Sequence, residues 1–139
     1  DGAHVGREDE SLARIRAEAG PDLILGGSSY DDLVRARELL DAGADYIAFG
    51  AMFASTVKPD TVRAPLSVLT EARRLVEERD APRPAVVAIG GITADNAPLL
   101  AQAGADSIAV ITGLFEAPSI RAAAVACSAP FSANLNRKP

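Results

Sequence analysis

The sequence predicts an α/β fold of about five strand–helix units with parallel strands, the carboxyl-terminal part of an eightfold TIM (β/α)8 barrel. Three observations carry this. Strand-like apolar runs alternate with helical patterns along the chain, and no two strands are joined by a two-residue hairpin turn. Three runs stop at glycine and then at a polar residue: Leu25-Gly26-Gly27-Ser28-Ser29, Phe49-Gly50 leading on to Lys58-Pro59, and Ala88-Ile89-Gly90-Gly91-Ile92-Thr93. Finally, Ala42-Gly43-Ala44-Asp45-Tyr46-Ile47-Ala48 recurs as Ala103-Gly104-Ala105-Asp106-Ser107-Ile108-Ala109, the mark of a repeated unit. A complete barrel takes roughly 200 residues or more, so about three further units are expected ahead of Asp1, which is not an initiator Met.

Taken in order, Ala3–Gly6 reads as a strand ending in polar Arg7-Glu8-Asp9, and Leu12, Ile15 and Ala19 mark one face of a helix that Gly20-Pro21 stops. Leu23-Ile24-Leu25 is the second strand, with Gly26-Gly27-Ser28 as its end. Leu33, Ala36 and Leu40 line the next helix up to Gly43, and Tyr46–Phe49 is the third strand. After a long loop from Gly50 to Ala64, Pro65 suits a helix start, and Val68, Leu69, Ala72, Leu75 and Val76 recur at helical spacing. Asp80–Pro84 forms the exit. Ala85–Ile89 is the clearest buried strand, Ala97, Leu100 and Ala101 face inward on a helix ended by Gly104, and Ser107–Ile111 is the fifth strand. A last helix starts near Pro118-Ser119 and carries Ile120, Ala123, Ala124 and Cys127. The domain is therefore drawn over residues 1–127, with 128–139 expected to be a mobile tail.

With 139 residues, 48% hydrophobic and 24% charged, the chain has the composition of one globular core. Its net charge of −5 offers no basic surface to neutralise nucleic-acid or membrane phosphates, so neither partner is expected. A phosphorylated small molecule needs only local positive charge. No run of 18 apolar residues and no basic-then-apolar leader occurs, and the single Cys127 suits a reducing, cytoplasmic setting. Unpaired strand edges at Ala3–Gly6 and Ser107–Ile111 lead us to expect self-association into a homo-oligomer, and the 139-residue chain alone to be inactive.

In parallel α/β folds, side chains leaving successive strand ends on one rim converge on a common ligand. The competing reading is that the glycines only turn the chain from strand to helix. Asp9 reads either as a helix N-cap or as a rim carboxylate able to share Mg²⁺ with substrate oxygens, and Lys58 either as a solvated loop charge or as an anion contact. Gly90-Gly91-Ile92-Thr93 and Ile111-Thr112-Gly113 each run into a helix start, where free N–H groups hold phosphate. His4 joins Asp9 beside the first strand end as a candidate substrate contact.

Asp1–Asp9, the Gly50–Pro59 loop, Val87–Thr93 with Asn96, and Ala103–Thr112 together resemble thiamine phosphate synthase, in order over roughly residues 1 to 127. The resemblance implies a TIM barrel that joins a pyrimidine diphosphate to a thiazole phosphate, carboxylated or not, releasing diphosphate with the help of Mg²⁺. It also implies Asp9 as one of two Mg²⁺ ligands, Ser28 and Lys58 as diphosphate contacts, and Ser55, Thr56 and Val57 as the loop on the thiazole phosphate, with Gly91, Ile111 and Thr112 as its phosphate-side contacts. The second aspartate and most of the pyrimidine pocket correspond to positions upstream of Asp1. The chain departs from the family pattern at Arg7, usually glutamine, Tyr30, commonly histidine, Ala51 and Ala54, commonly prolines, and Ser55 and Val57, usually threonines. Two rivals stand beside this reading. One is a thiazole tautomerase-like sister, whose histidine position is Ala51 here, and the other is a non-catalytic phosphate-binding fragment.

Overall fold

The computed structural model describes residues 1–54 and 63–132. The elements are β1 (Gly2–Val5), α1 (Leu12–Ala19), β2 (Ile24–Tyr30), α2 (Leu33–Asp41), β3 (Tyr46–Phe49), α3 (Ser67–Glu77), β4 (Ala85–Ile89), α4 (Ala97–Ala103), β5 (Ser107–Ala109), α5 (Thr112–Phe115) and α6 (Ile120–Ser128), followed by a 3₁₀ turn at Ala129–Phe131. All strand pairs are parallel and the sheet order is β1-β2-β3-β4-β5, each strand beside its predecessor in sequence. Helical crossovers between sequential parallel strands are the building step of a β/α barrel.

Strand side chains alternate between two faces. Leu25, Ile47, Phe49, Val86 and Ala88 go to the helix layer and are buried there against Leu69, Ala72, Val76 and Leu100. The other face carries two registered rows, His4–Gly26–Tyr46–Ala85 and Ser28–Ala48–Val87–Ser107. No helix among the described residues is long and apolar enough to cross a membrane.

The repeated Ala-Gly-Ala-Asp segments have one structural meaning. Asp45 N–H donates to the Leu25 carbonyl (2.7 Å) and Asp106 N–H to that of Val86 (2.8 Å). Each aspartate side chain then accepts from the amide of the same residue, Leu25 (2.7 Å) or Val86 (2.8 Å). Each carboxylate is also paired with an arginine from an earlier helix, Arg16 for Asp45 and Arg73 for Asp106. Both clasps sit at the amino ends of the strands, where conserving structure rather than chemistry is the expected role in a barrel. Asp106→Ala leaves the Val86 amide and the Arg73 guanidinium without this acceptor, and is expected to cost about 1–3 kcal/mol in denaturant unfolding. Stability unchanged by the substitution would contradict the clasp.

Several expectations are corrected. β2 does not stop at Gly26 but runs through both glycines to Tyr30, because the strand needs them: a Cβ on Gly26 would come within 2.1 Å of the Tyr46 ring, and one on Gly27 within 2.7 Å of Leu39. β5 ends at Ala109 rather than Ile111, since Ile111 is the N-cap of the short helix α5, whose start at Thr112 is where the sequence places one. Packing does not end at Cys127. Phe131 is 7% exposed and belongs to the core, which ties down the start of the expected tail, while residues 133–139 lie outside the described residues. Of Ile120, Ala123, Ala124 and Cys127 on α6, Cys127 alone is buried.

Candidate functional site

At the carboxyl ends of the strands a cavity of about 570 Å³ is walled by β2 (Ser28, Tyr30), by the segment after β3 (Gly50, Ala51, Ala54), by Gly90–Thr93 after β4 and by Ala109–Gly113 after β5. The three glycine-ended stretches therefore do meet. Their glycines serve loop-to-loop contact as well as turning the chain. Met52 N–H donates to the Ile89 carbonyl (3.0 Å) and Phe53 N–H to that of Gly90 (3.1 Å). A Cβ on Gly50 would lie 2.1 Å from the Ile89 carbonyl oxygen. Gly91, at φ 63°, leaves no room either, since its Cβ would lie 2.4 Å from the Ala54 carbonyl oxygen. Asn96 holds this loop from the helix side, accepting from Thr93 N–H (2.8 Å) and donating to the Gly91 carbonyl (3.0 Å).

Of the expected site residues, Ser28, Gly91, Ile111 and Thr112 line the cavity. The first-turn amides of Thr112 and Gly113 have no carbonyl partner among the described residues, as a helix start requires. His4 adjoins the cavity through Ser28: its Nε2 lies 2.8 Å from Ser28 Oγ, and its Nδ1 lies 3.0 Å from the Tyr46 hydroxyl. Both ring nitrogens are thus engaged by protein groups. Lys58, Ser55, Thr56 and Val57 lie outside the described residues.

Asp9 is not the helix cap. Ser11 caps α1 by accepting from Arg14 N–H (3.3 Å), and Asp9 Oδ2 instead accepts from Gly6 N–H (2.6 Å), which holds the carboxylate beside the end of β1. Its Oδ1 has no partner among the described residues. No group of three or more His, Cys, Asp or Glu able to hold a metal occurs among those residues. A single hard carboxylate nevertheless fits Mg²⁺, which takes one or two carboxylates and fills its remaining positions with phosphate oxygens and water.

Sequence reasoning passed over Arg35. From α2 its Nε donates to the Ser28 carbonyl (2.6 Å) and its terminal nitrogen to the Gly6 carbonyl (2.7 Å), so one guanidinium fixes the ends of β1 and β2 together. The only advance signal was an arginine close to a helix start, which is not distinctive. The departures Arg7 and Tyr30 are in contact, the Arg7 guanidinium carbon standing 4.7 Å from the centre of the Tyr30 ring, a cation–π distance.

Burial pushes the Tyr46 phenol above its ordinary range. His4 is pushed below 6.5 by burial, with the Asp9 charge opposing more weakly. The folded protein therefore binds fewer protons at His4 than the unfolded chain does just below pH 6.5. This contribution is complete above that pH and is lost as pH falls through the folded value. Nuclear magnetic resonance titration of the chain's single histidine is expected to give a midpoint below 6.5, and a midpoint above it would contradict the site's electrostatics.

A family described as Thiamine monophosphate synthase (TMP-TENI) matches residues 1–114. The chain belongs to the thiamine monophosphate synthase family. It is 67% identical over 131 residues to a thiamine-phosphate synthase of Bordetella avium (strain 197N), covering 94% of this chain and 60% of that protein. A second such protein, from Bordetella pertussis (strain Tohama I), is 64% identical over 134 residues, covering 96% of this chain and 62% of the relative. Among solved structures, thiamine phosphate pyrophosphorylase from Pyrococcus furiosus superposes with a TM-score of 0.74 at 35% identity, over 97% of this chain and 61% of that one. The chain thus spans about three fifths of the length of these relatives, and within that span its five parallel strands and intervening helices follow the synthase family's barrel.

Proposed function

We propose that the protein condenses 4-amino-2-methyl-5-(diphosphooxymethyl)pyrimidine with thiazole phosphate to give thiamine phosphate and diphosphate, in the cytoplasm. The thiazole nitrogen forms a bond to the pyrimidine's methylene carbon, the carbon–oxygen bond to diphosphate breaks, and its electron pair leaves on the diphosphate oxygen. With the carboxylated thiazole, CO2 leaves as well. The observation that carries the reading is the shared cavity, lined by Ser28 of β2, by Gly91 after β4 and by Ile111 and Thr112 after β5. Groups from several strand ends around one cavity suit two phosphorylated ligands that react with each other.

In this scheme the Ser28 hydroxyl and Lys58 donate to the diphosphate oxygens, where negative charge grows as the bond breaks. The amides near Gly91 and Thr112 take the thiazole phosphate, and Ser55, Thr56 and Val57 contact the same group. Asp9, its Oδ2 fixed by Gly6 N–H, would hold Mg²⁺ through Oδ1. When bound, Mg²⁺ supplies positive charge that neutralises the diphosphate. His4 acts through Ser28. A tautomerase-like reading is disfavoured by Ala51, a cavity residue with no group to move a proton at the position where that sister family carries histidine.

Incubation of these residues in a chain of the relatives' full length with both precursors and Mg²⁺ is expected to yield thiamine phosphate and one equivalent of diphosphate, and the 139 residues alone to yield none. A folded chain of that full length that binds both precursors and forms neither product would refute the assignment.

A further inference from the structure

The row of the sheet just beneath the cavity holds a polar chain whose far end, Tyr46, has no part in the reaction scheme. The Tyr46 hydroxyl lies 3.0 Å from His4 Nδ1, and His4 Nε2 lies 2.8 Å from Ser28 Oγ. The two rings stack, with centroids 5.7 Å apart and planes at 21°. Gly26, registered between His4 and Tyr46, makes the approach feasible, since any Cβ there would fall 2.1 Å from Tyr46 Cζ. The chain runs across three adjacent strands, β1, β2 and β3, and ends at Ser28, the one of its three residues that lines the cavity.

We propose that Tyr46 is a positioning residue that, through His4, sets the direction in which the Ser28 hydroxyl donates. Two hydrogen-bond polarities fit the heavy atoms. In one, Tyr46 O–H donates to Nδ1, Nε2–H donates to Ser28 Oγ, and the serine proton is left to point into the cavity. In the other, Nδ1–H donates to Tyr46 and the serine proton is drawn back to Nε2, so Ser28 offers the cavity only lone pairs. A phenol is a stronger donor and a weaker acceptor than an aliphatic hydroxyl, which selects the first polarity. The first is also the one that an anion requires, because an anionic oxygen accepts and cannot donate. No proton is transferred; the chain orients one. The proposal rests on the reading of Ser28 as a diphosphate contact, and its consequence is that a residue with no reach to the ligand governs the grip on it.

The test has two readouts. Nitrogen chemical shifts of His4 are expected to show the tautomer protonated at Nε2 in the wild type, and a population that moves toward Nδ1–H in Tyr46→Phe, which keeps its ring against Gly26. Finding Nδ1–H in the wild type overturns the proposal. The second readout is binding of inorganic diphosphate with Mg²⁺. Tyr46→Phe is expected to weaken it about tenfold, and to have an effect of less than about twofold in a Ser28→Ala background. Equal losses in both backgrounds mean that Tyr46 acts by packing alone, which also overturns the proposal. A wild-type protein that binds no diphosphate sinks the proposed function, while the tautomer readout still decides the direction of the chain.

Discussion

Gly91→Ala is expected to cost about 3 kcal/mol or more of stability and to remove activity with it. The residue sits at φ 63°, in the left-handed region, and its new methyl would meet the carbonyl oxygens of Ala54 at 2.4 Å and Phe53 at 2.6 Å. Neither is the tip of a flexible side chain. Both belong to the segment stitched to the strand ends by Met52 and Phe53 amides, so relief means pushing that segment out of the cavity wall. Gly20→Ala is the control, since Gly20 also has positive φ but open space around it. It is expected to lose only the backbone term, about 1–3 kcal/mol, and to keep its turnover in a chain of the relatives' full length. Comparable losses for the two variants, read by denaturant midpoint and turnover, would show that loop contact at Gly91 is unimportant.

In a chain of the relatives' full length, Lys58→Ala is expected to lower turnover about 10²-fold or more with little change in stability. A cation that meets charge developing on the leaving diphosphate is worth most in the transition state, so the loss falls on kcat rather than on precursor binding. Turnover within about threefold of wild type would reduce Lys58 to a solvated charge.

The alternation of elements was legible because each carries its own period. Leu25, Ile47, Val86 and Ala88 enter the core where the apolar pattern placed them. What misled was reading glycine as a stop. Gly26 and Gly27 are mid-strand because a ring and a leucine lie against them, and both neighbours are remote in sequence. The repeat was visible, but its role was not: Asp45 and Asp106 clasp strand starts, and their partners Arg16 and Arg73 come from helices with no matching motif. At the site, Ser28, Gly50 and Gly91, one from each of the three glycine-ended stretches, line one cavity, and Ile111 and Thr112 after the next strand line it too. Alternation separates the two adjacent serines, with Ser28 on the cavity and Ser29 fully buried. Arg35 and Tyr46 escaped notice because each works through residues on other strands, contacts that only the folded sheet creates.

The central claim is that one rim cavity holds both phosphorylated ends. A structure of the protein with Mg²⁺, diphosphate and thiamine phosphate tests it most directly. The account predicts diphosphate between Asp9 and Ser28, and the thiazole phosphate against the amides near Gly91 and Thr112. Diphosphate bound away from Ser28, or a thiazole phosphate clear of the Gly91 and Thr112 loops, would contradict it.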